Sequence, residues 1–356
     1  MVFSRKNAVL RRSGFTLIEL LVVMIIIALL VGLLLPAVQR ARAAARRTAS
    51  TNKLKQIALG VANFEAANSH FPPSWQAPET AQGDNLNGWS IHALLLPHLE
   101  QSVIFNELDF RQPYSDAPAV VTADGTSQLL TSLRVDTYVS PNEPRDEPRI
   151  ENGVPANYPL SYAANLGTWF VWDPASRQGG DGAFYPNSNL RASSFTDGLS
   201  NTLCFAEVKA WNPYYRNANV SDATLASSPP TDIDVCSMGG DFKENSGHTE
   251  WVDGRAHQIG FTTVFRPNAK VLCSESNVEF DVDWTNWQEG KGLAASPPVL
   301  NKTYAAVTAR SRHGGGVLVS MMDGSVRWVD DTINLGVWRA MSTRGGGEFM
   351  PSDDKL

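Results

Sequence analysis

The sequence predicts an α+β protein: a long N-terminal helix, its first half in a membrane, packed on a large β-rich antiparallel head. Three observations lead there. A basic pair, Arg11-Arg12, runs into an apolar stretch that reaches membrane-spanning length between Phe15 and Leu35. Beyond Pro36, the residues Leu54, Ile57, Ala58, Val61 and Phe64 recur at helical spacing. From residue 158 onward the chain turns to short runs rich in β-branched and aromatic residues, bounded by Gly, Pro, Asn and Asp.

The apolar run is too long for a secretory signal, whose apolar part spans roughly 7 to 15 residues, and only a weak cleavage site follows it around Ala37 to Arg42. Its odd member is Glu19. A carboxylate in hydrocarbon costs several kcal/mol, which a plain anchor helix leaves unexplained. Loop charges do not orient the segment, because Arg5, Lys6, Arg11 and Arg12 before it are matched by Arg40, Arg42, Arg46 and Arg47 after it. Pro36 lacks an amide donor and should weaken or kink the helix where the apolar run ends.

One helical spine is expected from Phe15 to Asn68, stopping before Pro72-Pro73. Next, "GWSIHALLLPHLEQSVIFNEL" reads as a short buried helix with Pro97 opening a second turn. "TLCFAEVK", "GFTTVFR" and "GVLVSMMDGSVRWV" read as strands, and the stretch from Arg216 to Asp234, rich in Ser, Asn, Asp and Pro, as a loop. Asp323-Gly324 fits the two-residue loop of a type I′ hairpin between Val317–Met321 and Val326–Val329, with positive φ at both loop positions. Three cysteines make no disulfide framework; in oxidising surroundings Cys236 and Cys273 are the pair expected to close, against the alternative of buried free thiols.

The string Ser13-Gly14-Phe15-Thr16-Leu17-Ile18-Glu19-Leu20 resembles the cleavage and methylation signal of type IV pilins and type II secretion pseudopilins, in the form G-F-T-L-x-E. The resemblance implies that a prepilin peptidase cuts after Gly14 and methylates the new terminal amine of Phe15, leaving Glu19 as the fifth mature residue. It divides the chain into a leader (1–14), a transmembrane and assembly helix (15–36), an amphipathic helical spine (37–70) and a β-rich extracytoplasmic head (71–356). Pilin-like proteins commonly carry a proline where Pro36 stands. The implied setting is the bacterial inner membrane, crossed once, with other pilin-like subunits as partners through the N-terminal helix. Glu19 then lies one helical turn from a positive amine, its own or a neighbour's.

A second resemblance covers nearly the whole chain. "NKLKQIALGVANFEAANSHFPPS", "LLLPHLEQ", "SFTDGLSNTLCFAE", "FTTVFRPN" and "SRHGGGVLVSMMDGSVRWV" look like a bacterial pilin-like family of unknown function whose members end in an H-x9-DG motif, matched here by His313, Asp323 and Gly324. It implies a prepilin start and a large β-rich head, and no known biochemical activity. Ser50 and Val139 stand where many members carry cysteine, so a disulfide between those regions is not expected.

The net charge of −6 falls to −10 without the four basic residues before Gly14, and residues 56–356 alone carry −15. So acidic a head argues against a nucleic-acid partner. Calcium is the one cofactor considered, with Asp323 and Ser325 joined by oxygens from another loop such as Asp197 or Ser200, although the spacing is not that of an EF-hand. His313-Gly314-Gly315-Gly316 spells an esterase oxyanion string, but the chain has no G-x-S-x-G elbow and too little sequence follows, so these glycines are read as a bend. His248 and His257 lack metal-site spacing and are placed in the core or on the surface. Trp169 with Trp172 and Trp284 with Trp287 could present faces to a sugar, whereas Trp328 is expected in the core. The function expected is that of a non-enzymatic pseudopilin-like subunit of a surface filament or secretion pseudopilus. The alternative is a membrane-tethered module that binds a solute or carbohydrate.

Overall fold

The 52 residues Leu17–Asn68 form one helix, α1, in a computed structural model that describes residues 17–122, 125–218, 220–226 and 228–347. These residues fall into two compact units, one up to Arg47 and one from Thr48 onward. In the first, every residue from Leu17 to Arg47 is exposed, and the apolar side chains point in all directions around the axis. α1 is not interrupted at Pro36. The proline only deprives the Gly32 carbonyl of its usual helical donor.

In the second unit α1 becomes one-sided. Ser50, Leu54, Ile57, Ala58, Gly60 and Val61 are buried, and Phe64 packs beside them. The glycine at 60 is a matter of space, since a Cβ there would lie 3.2 Å from Leu99. The helix ends at Asn68, and Ser69 reverses the chain at φ +63° before Phe71-Pro72-Pro73. The buried segment that receives it is helical at Ile91–Leu95, capped by Ser90, whose hydroxyl accepts the Ala93 amide at 3.1 Å. A tighter turn, Leu96–Leu99, follows with Pro97 in its first positions, as the sequence predicts.

Eleven strands build the two largest sheets of the head, beside four two-stranded ribbons: β1 Tyr162–Asn165, β2 Phe170–Asp173, β3 Gln178–Gly179, β4 Leu203–Glu207, β5 Asn212–Arg216, β6 Asp241–Gly247, β7 Gly260–Phe261, β8 Asp283–Thr285, β9 Thr303–Ala306, β10 Gly316–Met321 and β11 Val326–Asp330. The five-stranded sheet runs β7-β1-β4-β10-β11 and the six-stranded sheet β6-β5-β8-β9-β2-β3. Pairing is antiparallel except at β7 with β1 and β5 with β8. The α+β class with a largely antiparallel head holds. β1, β4 and β10 are buried at every position, so alternation gives way to nearly continuous apolar runs. Their core includes Leu54, Ile57 and Val61 of α1, and a smaller cluster gathers around Trp284, Tyr304 and Cys273. Cys236 is disulfide-bonded to Cys273, the expected pair, while Cys204 is a buried free thiol.

Several expectations need correction. Of "GFTTVFR" only Gly260–Phe261 is strand; Thr262 goes on as an isolated parallel bridge to Thr308, with its hydroxyl also donating to the Ala305 carbonyl at 3.0 Å, and the Thr263 amide turns to the Gly167 carbonyl at 3.0 Å. The stretch read as a loop from Arg216 holds a short helix at Asp222–Leu225 and the start of another at Asp232–Met238, capped by Ser221 and by a Thr231–Asp234 box. The helix Leu335–Ser342 was not expected from the sequence. Asn334 caps it, and it buries Trp338 and Met341. Trp169, Trp172 and Trp284 are buried, with Trp169 stacked on Trp284 at 5.7 Å, so neither tryptophan pair offers a sugar-binding face. Trp287 alone of the four is half-exposed, under the Lys291 ammonium at 4.5 Å. Trp328 is half-buried, not core, and lies over Gly316, where a Cβ would come within 2.7 Å of its ring.

Candidate functional site

Two places carry the residues singled out by the sequence. The first is the start of α1. Gly14 and Phe15 lie outside the described residues. Glu19 sits exposed in the first turn of α1, where a carboxylate is favoured by the helix dipole. After it, Leu20 to Leu35 form an apolar surface on every side, each large side chain at least 44% exposed. Such an area is far beyond what a water-facing helix carries singly, and it requires lipid or other helices around it. By length and composition the helix can cross a membrane.

The second place is the end hairpin and the polar cluster at its entry. Glu207, at the end of β4, is buried and accepts the Ser311 hydroxyl at 2.6 Å and the Leu318 amide at 3.1 Å. Ser311 in turn accepts the His313 amide at 2.9 Å. The His313 ring stands with Nε2 at 3.5 Å from Glu207 Oε1 and 3.5 Å from Ser50 Oγ, while Asn142 Nδ2 donates to Nδ1 at 2.9 Å. With Nδ1 accepting, the ring proton belongs on Nε2, facing the carboxylate. Ser50 Oγ also lies 3.5 Å from Ser140 Oγ. The residue opposite Ser50 is therefore Ser140 and not Val139, whose carbonyl instead accepts Lys53 Nζ at 2.9 Å. Lys53 also bonds the Asp136 carbonyl at 2.6 Å and its carboxylate at 3.0 Å. His313 and Lys53 thus fasten α1 residues 50–53 to the loop at 136–142. This is not a catalytic triad: one nitrogen faces both Ser50 and Glu207, and Ser50 is 0% exposed.

At the hairpin tip the Gly324 amide donates to the Met321 carbonyl at 3.0 Å and the Met321 amide to the Ser325 carbonyl at 2.8 Å. Gly324 has φ +85°, and Asp323 is not among the residues with positive φ. The loop is thus Met322-Asp323-Gly324, a type I turn followed by a left-handed glycine, rather than the type I′ pair expected. Three loop residues give the strands their twist with only one position in the strained region. Asp323 Oδ1 accepts the Ser325 amide at 2.9 Å and hydroxyl at 2.7 Å. The other oxygens considered for calcium are engaged elsewhere: Asp197 accepts the Gly346 and Gly347 amides at 2.7 and 3.0 Å, and the Ser200 carbonyl accepts Arg327 at 3.1 Å. A guanidinium therefore occupies an oxygen that was expected to face a cation. Among the described residues no group of three or more His, Cys, Asp or Glu is placed to hold a metal ion.

Both histidines assigned to core or surface are in the core. His248 Nδ1 donates to the Gln258 carbonyl at 2.8 Å, and burial holds its pKa below the usual value despite Asp283 nearby. His257 stacks on Tyr214 at 4.6 Å; burial, then Arg216 and Arg255, hold it well below. Glu207, Ser311 and Asn142 are not among the residues the sequence singles out. No local signal marks them, since the Ser311–Glu207 bond spans 104 residues of chain and the Asn142–His313 bond 171.

A prepilin-type start on an apolar helix, carrying a large β-rich head, defines a prepilin-like protein held at a membrane. Residues 10–35 match the prokaryotic N-terminal methylation motif. Residues 39–336 match the family described as protein of unknown function (DUF1559), and the chain belongs to that family. No curated protein and no solved structure matches it.

Proposed function

We propose that the chain is a pseudopilin-like structural subunit, cut after Gly14 by a prepilin peptidase, methylated at Phe15 and packed through α1 into a surface filament or secretion pseudopilus. It crosses the inner membrane once, with its head outside the cytoplasm. The observation that carries this reading is the joining of the methylation motif at residues 10–35 to a helix whose side chains from Leu17 to Leu35 are all exposed. A surface of that kind needs lipid in the resting subunit and other helices in the assembled one. The bond between Cys236 and Cys273 supports an oxidising compartment for the head. Glu19 faces the Phe15 amine of a neighbour once water is excluded.

Intact mass and terminal sequencing of the chain recovered from a host with a prepilin peptidase test the processing step. The expected mature chain starts at N-methylated Phe15, and Gly14→Val keeps the leader, because the peptidase needs a residue without a side chain there. A mature chain starting after Ala37 or Ala41 would sink the reading. Electron microscopy of surface filaments, with mass spectrometry of their subunits, tests assembly.

A further inference from the structure

The head contains a cleft of about 320 Å³ that lies apart from both places described above. Three arginines from separate parts of the chain line it: Arg149, Arg216 at the end of β5, and Arg255. Two of them are neutralised by the protein itself. Arg149 is bound by Glu151 and Glu250, and Arg255 by Asp253 at 3.3 Å, with Tyr114 Oη also at 3.3 Å.

Arg216 is different. Its Nη1 donates to Gln288 Oε1 at 3.1 Å, its Nε is buried with no hydrogen-bond partner, and among the described residues no carboxylate pairs with it. Arg216 is half-buried, so its other N–H groups remain open to the cleft, where an anion would gain a charge-assisted hydrogen bond. The same cleft offers a second donor. Asn157 is 8% exposed and lines the cavity, and its side-chain amide bonds no other described residue, so it is open to whatever fills the cleft.

We propose that this cleft binds a small carboxylate-bearing solute, with Arg216 and Asn157 as its direct contacts. A planar guanidinium and an amide N–H₂ are both donors, and a carboxylate is the small acceptor that suits both. The wall formed by Ala117, Leu129 and Ala156 suits a short apolar body behind the carboxylate. The cavity sits at the low end of ligand-site volumes, so it fits a metabolite and not a polymer. The site is independent of whether the chain assembles into a filament.

Isothermal titration of the full chain in detergent, with acetate, succinate, L-alanine and L-glutamate as probes and acetamide and glucose as uncharged controls, tests it. Saturable binding of at least one carboxylate is expected, with neither control binding. Arg216→Ala should weaken it by about tenfold or more, the loss of one charge-assisted contact. Asn157→Asp keeps the side-chain shape but adds a repelling charge, and should weaken it similarly with the thermal unfolding midpoint close to the parent's. That second variant carries the test if Arg216→Ala does not fold. No saturation by any of the four carboxylates at millimolar concentration, equal binding of acetamide or glucose, or binding unchanged in a folded variant would overturn the proposal.

Discussion

Ile26 and Ile57 stand in the same helix and carry the same side chain, yet one is 50% exposed and the other 0%. Around Ile26 the apolar residues circle the axis. Around Ile57 the buried ones keep to one face, and the others carry Lys55, Gln56 and Glu65, with Leu59 the one large apolar residue left exposed there. A stretch apolar on every side buries nothing within its own chain, so its partner must be lipid or another molecule. A stretch apolar on one side has its partner in the head. The sequence distinguishes the two because periodicity is local, and three or four residues reveal it.

The largest effect should come from breaking the lipid-facing half at its one charge. In a lone subunit Glu19 can stay near the interface or take a proton, so its cost is tolerable. On the proposed reading, it loses water in a bundle of helices, and the amine left at Phe15 by cleavage is the charge that would match it. Losing one partner of a buried pair costs about 3 to 5 kcal/mol because the other charge is left uncompensated. Glu19→Val should thus leave insertion and cleavage intact while incorporation into filaments falls by more than about a hundredfold. Quantifying the variant beside parent subunits in one preparation measures this. Equal incorporation would leave the carboxylate with no role in registry.

The next effect sharpens the contrast itself. Ile57→Ala should destabilise the head by about 2 to 5 kcal/mol, the cost of a cavity among Leu54, Val61 and their neighbours. Ile26→Ala should leave head unfolding unchanged, within about 0.5 kcal/mol. Denaturant unfolding of the full chain in detergent, followed by tryptophan fluorescence, separates them, since the buried tryptophans Trp75, Trp89, Trp251, Trp284 and Trp338 all belong to the head. If Ile26→Ala destabilised the head as much as Ile57→Ala, the two halves would not differ as their exposure indicates.

What was legible in the chain follows the same division. The spine, its end before Pro72-Pro73, the strands β4, β10 and β11 and the Cys236–Cys273 pair could all be read, because apolar period, turn residues and cysteine context are written in neighbouring residues. The parallel pairing of β5 with β8, which sets Tyr214 opposite Asp283, could not be read. Nor could the burial of Arg310 between Asp281, at 3.0 Å, and Asp283, or the unmet Arg216. Charged residues look solvated in a sequence until the fold encloses them. The two helices between Arg216 and Met238 were a different failure. Their capping residues Ser221 and Thr231 were present, but the polar composition outweighed them.

The smallest effect lies in the end hairpin, where both turn types predict that Gly324 matters and only one predicts that Asp323 does. A Cβ at Gly324 would meet open space, but φ there is +85°, so a β-branched residue is opposed by backbone conformation alone. Gly324→Val should cost the head more than about 1 kcal/mol. Gly324→Asn should cost less, since asparagine tolerates the left-handed region. A type I′ loop would place Asp323 at positive φ as well, and Asp323→Val would then match Gly324→Val. In the observed turn Asp323 has an ordinary φ and supplies only the two bonds to Ser325, which are exposed. Asp323→Val should therefore cost well under the glycine variant, by about 0.5 to 1 kcal/mol at most. Thermal unfolding of the three variants decides the order. Equal losses at 323 and 324 would restore the two-residue loop, and with it the view that the D-G pair is a single turn signal rather than an aspartate that braces Ser325 and a glycine that turns the chain.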